Sequence, residues 1–471
     1  MAARVCLALL VLLGSGAALA GSLHGAGPQA GSGVSSLSLP LLTVLVGGLF
    51  LGTLAIRRFS LSVGVPAILG VLLLGLSINL HTTLLSPEAI SRLHTLSLAM
   101  LTFYSGVNTE LRSIRGFLEY GVILAVGGVV VSSAVLGLIV WSVASPTAGG
   151  IELGFHQIPL GMAMLIAACL GSTDAGATIS VLESLPRRIP ERLQSLLEFE
   201  ASLNDPTAIL VLALVVGLFA SDSRLGGGAA GGSERLLVIE LRHFLQQVGS
   251  GLLVGVVMGY VARFSLERLV DREEELLILG LGVGLLTYGS AELLEGSGLI
   301  ATYAAGVLMG NHRYRNAQVT PVALLQTLQP FNAMTEIVIF LIFGLAMHPR
   351  DLLKSLPEGA VIALGLMLIA RPLSVLLFQR FSPFGLRESL LISWCGLRGA
   401  VPLALSFSVI EAVPHIQGVR AELVPALQNN AQVIVFCVVV LNLLIQGLTL
   451  PKLSQLLGIG AEPPAAPEPQ A

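Results

Sequence analysis

Long apolar runs recur along the chain between residues 38 and 455. Each run is roughly 20 residues long, which is the length that a helix needs to cross the ~30 Å hydrocarbon core of a bilayer. A helix also satisfies its own backbone hydrogen bonds there, where no water can. The sequence holds about thirteen such runs, beginning near residues 38, 62, 95, 117, 158, 195, 243, 275, 297, 330, 357, 388 and 430. The pattern predicts an all-α, polytopic membrane protein in a lipid bilayer.

The composition agrees with this pattern and excludes several classes of function. Hydrophobic residues make up 54% of the chain and charged residues only 11%, against about 25% charged in soluble domains. The net charge of −3 and the absence of a basic run argue against nucleic acid as a partner. The four cysteines and eight histidines show no metal-ligand spacing, so no cofactor and no resident metal is predicted.

The two ends of the chain differ from its middle. Residues 1–37 form a signal-like leader, with an apolar run closing on Ala18-Leu19-Ala20, and a Gly/Ser-rich linker; the leader is either cleaved or kept as an extra helix. Residues 38–455 form the transmembrane domain, and the Pro/Ala/Glu-rich residues 456–471 a disordered tail. Basic residues concentrate in the loops after odd-numbered spans, which places the C-terminus in the cytoplasm.

Several ionisable residues lie inside predicted spans. Each costs at least ~2.5 kcal/mol on insertion scales, so it must be paired, hydrated or kept for function. Asp174 lies in the fifth span, and Glu200 and Asp205 in the sixth. Arg371 and Arg398 lie in the eleventh and twelfth spans. Instead of a direct role in function, either arginine could serve the structure alone by pairing with a buried acid. The two aspartates could instead lie at solvated helix ends at the membrane edge. This placement is disfavoured because apolar sequence flanks both residues.

The neighbours of these charges predict irregular helices. Pro206 directly follows Asp205 and frees a backbone carbonyl, which favours a distorted helix lining a wet cavity. At about 100° per residue, Ala201 and Ser202 lie on the face of Asp205. Arg398 stands among two glycines and a proline, in a stretch that predicts a broken helix whose ends can face an ion. Glu336, in the tenth span, is a weaker candidate for lining a cavity.

Four motifs in order resemble the NhaP-type monovalent cation/proton antiporters, and the likeness covers roughly residues 38–455. They are Gly171-Ser172-Thr173-Asp174, Glu200-Ala201-Ser202-Leu203-Asn204-Asp205-Pro206, Ile369-Ala370-Arg371-Pro372-Leu373 and Gly396-Leu397-Arg398-Gly399-Ala400-Val401. The resemblance implies a secondary antiporter, not an enzyme, that exchanges Na⁺ or K⁺ for H⁺ across a membrane and serves pH and cation homeostasis. We expect the cell membrane, with an organelle membrane as the alternative. The resemblance further implies a homodimer built on inverted repeats. Spans four to six and eleven to thirteen would form the ion-carrying core, in which interrupted spans five and twelve cross.

The resemblance also implies a role for each matched residue. Asp205 would bind either the cation or the proton, with Thr173 and Asp174 completing the site and Asn204 stabilising it. Glu200 would pair with the arginine at position 371, and Arg398 would support the core. An asparagine rather than a second acid before Asp205 resembles the electroneutral members.

One position departs from the family pattern. Where many members carry a serine after the glutamate, this chain has Ala201, and a methyl group cannot serve as an oxygen ligand for a hard cation. We expect Ser202 or a water molecule to fill that place, and the ion preference of relatives does not transfer directly.

Two other functions are compatible with charges in a membrane. A cation channel would also need acidic residues along its path. An intramembrane aspartyl protease would use two aspartates as a dyad that shares a proton, but it would leave Glu200, Arg371 and Arg398 unexplained, and the Gly-x-Gly-Asp element of such proteases is absent.

Overall fold

Helices make up almost all of the chain that the structure describes. The computed structural model describes residues 47–48, 51–53, 55–56, 67–79, 87–111, 116–144, 158–183, 189–219, 233–270, 272–314, 320–347 and 349–459. We number the helices α1 (Ala67–Asn79), α2 (Pro87–Asn108), α3 (Leu118–Val143), α4 (Leu160–Cys169), α5 (Ala175–Glu183), α6 (Glu191–Phe219), α7 (Ser233–Leu269), α8 (Glu273–Leu293), α9 (Gly298–Gly310), α10 (Pro321–Ala346), α11 (Pro349–Gly365, continuing to Leu377), α12 (Leu386–Trp394), α13 (Ala400–Ala412) and α14 (Val424–Leu456). The prediction of an all-α fold is confirmed.

Seven helices in the described residues are long and apolar enough to cross a membrane. They lie within α3, α6, α7, α8, α10, α11 and the stretch that ends with α14, and three shorter apolar helices accompany them. The shorter ones include α4 and α13, which belong to the fifth and twelfth predicted spans. Most of the first predicted span, all of the leader and the tail from residue 460 lie outside the described residues.

The chain divides into two compact units. The first comprises Met1–Ser86 and Phe340–Pro349, and the second Pro87–Ile339 and Arg350–Ala471. In the first unit, α1 packs directly on the last turns of α10 through two glycines. A Cβ built on Gly75 would lie 3.0 Å from the Cα of Gly344, so neither position can take a larger residue without separating the helices.

In the second unit, helix α9 lies between α2 and α7 and packs closely against both. A Cβ on Gly306 of α9 would lie 3.1 Å from the backbone of Gly106 on α2, and a Cβ on Gly255 of α7 would lie 2.8 Å from the Cα of Ala301. Small residues bring backbones this close in membrane helices, where packing replaces the hydrophobic effect as the driving force. Thr102 and Thr302 add a 2.8 Å hydrogen bond between α2 and α9.

Helices α3 and α11 each contain one widened turn. The backbone forms a π-helical segment over Ile123–Gly128 in α3 and over Leu366–Ala370 in α11. The two helices pack together, and a Cβ on Gly365 of α11 would lie 3.0 Å from the side chain of Ile139 on α3. Such turns are rare in proteins, and those that occur are often found at functional sites. The π-helical segment of α11 ends directly before Arg371. Spans four and eleven thus share an irregularity, as repeated halves would.

Candidate functional site

Two interrupted helices meet at their breaks. Helix α4 ends at Cys169 and α5 begins at Ala175, while α12 ends at Trp394 and α13 begins at Ala400. Three hydrogen bonds join the two breaks, and every acceptor is a backbone carbonyl. They run from the Asp174 amide to Leu397 (2.7 Å), from Arg398 Nη1 to Ser172 (2.7 Å) and from Thr178 Oγ1 to Cys395 (2.9 Å). Backbone groups that a continuous helix would use internally are therefore satisfied across the crossing.

Asp174 caps the helix that follows it. Its Oδ1 accepts a hydrogen bond from the Ala177 amide at 2.9 Å, as an N-cap residue does. Its carboxylate lies against Gly399, where an added Cβ would overlap it. The side chain is half-buried, so it faces the crossing while remaining accessible.

Asp205 lies on α6 and receives hydroxyl groups from two other elements. Ser172, in the break after α4, donates to Oδ1, and Ser105 of α2 lies 3.4 Å from Oδ2. The carboxylate is half-buried. Among the described residues, the ion pairs include neither Asp205 nor Asp174. Both acids are thus held by neutral groups.

Asn204 ties helix α6 to the first break. Its Oδ1 accepts from the Thr173 amide at 3.2 Å, and its Nδ2 donates to Thr173 Oγ1 at 2.5 Å. Asn204 is fully buried, and the reciprocal bonds fix the amide orientation. Residues 173 and 174 are therefore anchored directly beside the acid at position 205.

Glu200 and Arg371 form a buried ion pair. Arg371 Nη2 donates to Glu200 Oε2 at 2.7 Å, and the side chains are 4% and 1% exposed, respectively. The pair joins α6 to the turn after the π-helical segment of α11. The structure thus brings together the two residues that the resemblance pairs. Glu200 and Asp205 are separated on α6 by about 140° around the helix axis.

Arg398 occupies the second break and is the largest fully buried side chain of the described residues. Its Nη1 donates to the Ser172 carbonyl, and its backbone amide donates to Asn442 Oδ1 at 2.8 Å. The expected alternative, an ion pair with a buried acid, does not occur among the described residues. Its positive charge instead supports the main chain next to Asp205.

Comparison with known proteins identifies the family of this site. The family described as "Sodium/hydrogen exchanger, transmembrane" matches residues 41–455, a stretch that contains the crossing, both aspartates and the buried ion pair. The chain belongs to this exchanger family.

Two relatives within the exchanger family show how far the likeness extends. The K⁺/H⁺ antiporter NhaP of Alkalimonas amylolytica is 30% identical over 432 residues, which cover 91% of this chain and 69% of the relative. The K⁺/H⁺ antiporter NhaP2 of Shewanella oneidensis is 31% identical over 374 residues, covering 79% of this chain. The matched part spans only 58% of the length of the Shewanella protein.

A solved exchanger structure has the same fold. The sodium proton antiporter MjNhaP1 from Methanocaldococcus jannaschii at pH 8 superimposes with a TM-score of 0.71 and 20% sequence identity, covering 88% of this chain and 99% of that chain. The NhaP and NhaP2 relatives described above confirm the resemblance to NhaP-type proteins. No finding supports the channel or the intramembrane protease that the sequence also allowed.

Two candidate residues, Ser202 and Glu336, have hydrogen-bond partners that the sequence did not predict. Ser202 or a water molecule was expected to supply the oxygen that Ala201 lacks; in the described residues, the Ser202 carbonyl accepts a hydrogen bond from the Ser105 hydroxyl. Glu336 accepts a hydrogen bond from Asn332 on its own helix at 2.8 Å, and its place along a cavity stays a prediction. Sequence reasoning missed Ser105 altogether, although Pro206 signals that the carbonyl four residues earlier needs a donor from elsewhere.

Proposed function

We propose that this protein is a secondary antiporter that exchanges Na⁺ or K⁺ for H⁺, one cation per proton. One contrast on helix α6 supports the proposal most strongly. Glu200 is neutralised by Arg371 at 2.7 Å, whereas the hydrogen-bonding contacts of the Asp205 carboxylate in the described residues are hydroxyl groups alone. The first acid is fixed in the fold, and the second keeps its charge available for an ion.

The exchange follows from competition for one carboxylate. Asp205 can hold a proton or a desolvated cation, but not both at full strength. We propose that Asp174 and Thr173 complete the cation site and that Asn204 holds them in place. An uncompensated charge is costly to carry past an apolar barrier. The core therefore moves only when Asp205 is neutralised by one ion or the other, which suppresses leak.

The proposal includes a cellular setting. The protein would act as a homodimer in the cell membrane, with its C-terminus in the cytoplasm, and contribute to pH and cation homeostasis. The distribution of basic residues between loops supports the orientation. The resemblance to NhaP-type exchangers supports the dimer, the electroneutral stoichiometry and the transport role.

Reconstitution in proteoliposomes tests this function. The purified protein should move protons in response to gradients of Li⁺, Na⁺ or K⁺, and clamping the membrane potential should leave the rate unchanged. Ca²⁺ tests whether the site is limited to monovalent cations. Asp205→Asn should abolish exchange while the protein stays folded, because an amide keeps the size of the side chain but cannot alternate between a proton and a cation.

A matched substitution controls for the loss of one negative charge. Asp351 lies on α11, where it accepts a hydrogen bond from Asn429, and Asp351→Asn should exchange as the wild type does. Substantial cation-driven proton transport by the Asp205→Asn protein would reject Asp205 as the carrier. Cation currents without proton movement would instead indicate a channel.

A further inference from the structure

Pro206 leaves a gap in the hydrogen-bond ladder of α6. In a regular helix, the carbonyl of Ser202 would accept from the amide of residue 206, four positions later. Proline has no amide hydrogen, and Pro206 is buried within the helix. A buried carbonyl without a donor is unfavourable, so another part of the chain must supply one.

Ser105 on α2 supplies this donor. Its hydroxyl donates to the Ser202 carbonyl at 3.1 Å, and the same oxygen lies 3.4 Å from Asp205 Oδ2. Ser105 is 9% exposed. One side chain from a different helix therefore contacts both the carbonyl that Pro206 frees and the carboxylate of the proposed carrier.

The backbone of α2 holds Ser105 in this position. The next residue, Gly106, packs against the backbone of Gly306 on α9. The carbonyl of Ser105 accepts from Thr109 Oγ1 at 2.8 Å, and that hydroxyl is 3.1 Å from Tyr303 Oη. Ser105 is thus fixed between two helices, and its hydroxyl is presented to α6 without a long flexible side chain.

The hydrogen and the lone pairs of the Ser105 hydroxyl determine which groups it can bind. A serine has one hydrogen to donate and two acceptor lone pairs. When the hydrogen points to the Ser202 carbonyl, the lone pairs remain available beside Asp205. When a hard cation binds two oxygens at about 2.4 Å and the angle between them at the cation is 90°, the two oxygens lie about 3.4 Å apart. The separation of Ser105 Oγ and Asp205 Oδ2 agrees with this spacing.

We propose that the hydroxyl oxygen of Ser105 is a ligand of the transported cation and supplies the oxygen that Ala201 lacks. Pro206 orients this ligand, because the carbonyl it frees takes the hydroxyl hydrogen. The assignment rests on the proposed function, since it requires that a cation occupies Asp205. It places one ligand on α2, outside the helices that the sequence motifs mark.

Cation dependence of exchange tests the assignment. We expect Ser105→Ala to raise the half-saturating cation concentration roughly fivefold or more at fixed pH, with a much smaller effect on the maximal rate. Ser105→Thr keeps a hydroxyl and should restore most of the lost affinity. Ser105→Cys should raise the half-saturating concentration as Ser105→Ala does, because sulfur is a poor ligand for a hard cation. The cysteine variant replaces the alanine variant in the test if the latter does not fold.

Pro206→Ala tests the orienting role. The new amide of residue 206 would satisfy the Ser202 carbonyl, so the hydrogen of Ser105 would turn to Asp205 and oppose a cation there. This variant should also weaken cation affinity. Its effect should not add to that of Ser105→Ala, because both changes remove the same ligand.

Ser97→Ala is the matched control, since Ser97 is a buried serine on the same helix; its half-saturating concentration should equal that of the wild type. Cation-induced thermal stabilisation in detergent measures binding independently of transport and should show the same order of variants. An unchanged affinity in Ser105→Ala, or an equal loss in Ser97→Ala, would overturn the assignment while wild-type exchange upholds the proposed function. A wild-type protein without exchange would reject both.

Discussion

Arg371 donates to Glu200 across the interface of α11 and α6 at 2.7 Å, with both side chains almost completely buried. Removing one partner of such a pair leaves an unpaired charge and costs about 3–5 kcal/mol. We expect Glu200→Gln and Arg371→Gln each to lower the thermal unfolding temperature in detergent strongly. The double substitution should be less destabilising than the sum of the two.

An exposed pair provides the comparison. His312 and Glu267 lie 3.3 Å apart, with side chains 26% and 32% exposed, and exposed pairs contribute about 0–1 kcal/mol. Glu267→Gln should therefore leave the unfolding temperature nearly unchanged. Normal stability of both buried single variants, without coupling in the double, would show that the ion pair does not stabilise the protein.

Gly399 tests the packing at the crossing. A Cβ at this position would overlap the carboxylate of Asp174, so we expect Gly399→Ala to reduce exchange at least about tenfold by displacing that side chain. Gly385→Ala is the control, because its Cβ would find the nearest atom at an ordinary 3.7 Å. Equal exchange rates for the two alanine variants would show that the position of Asp174 is not critical.

Asp174 combines a helix cap with a charge, and two substitutions separate these roles. Asn is as good an N-cap as Asp, so Asp174→Asn should keep the stability of the wild type but lose most of its exchange. Asp174→Ala should lose both, with a cap contribution of about 1 kcal/mol. Thermal unfolding and proteoliposome exchange are measured on the same preparations. Full exchange by the Asn variant would exclude the charge from the mechanism.

Ala201 and Ser202 test where the missing oxygen is supplied. Ala201→Ser adds a hydroxyl on the face of Asp205, and we expect it to shift the half-saturating cation concentration or the Na⁺/K⁺ preference several-fold. Ser202→Ala should change it less than about twofold, because Ser202 is tied to the site through its carbonyl. A larger effect for Ser202→Ala would make its hydroxyl the ligand and would contradict the assignment of Ser105.

The sequence predicts those parts of the site that depend on local chemistry. The glycines and proline around Arg398 predict a broken helix, and the structure ends α12 at Trp394 and restarts at Ala400. The resemblance supplies the partnership of Glu200 with Arg371. Both features can be recognised within short motifs, because breaks and unusual charges are properties of a few neighbouring residues.

The remaining features depend on which helices become neighbours. Ser105 is an ordinary serine in an apolar span until α2 packs beside α6. The structural alternative for Arg398 was to pair a buried acid, yet the break between α4 and α5 offers the carbonyl of Ser172 instead. Tertiary packing decides each of these.

The crossing of the broken helices is held through the main-chain carbonyls of Ser172, Cys395 and Leu397. Every amino acid provides such a carbonyl, so these acceptors do not depend on the side chains at the three positions. Hydroxyl and methyl groups beside the ion can therefore change while the acceptors that hold the crossing persist. Selection can retune the preference among alkali cations by exchanging single hydroxyl and methyl groups, and descendants with different ion specificities can share one architecture.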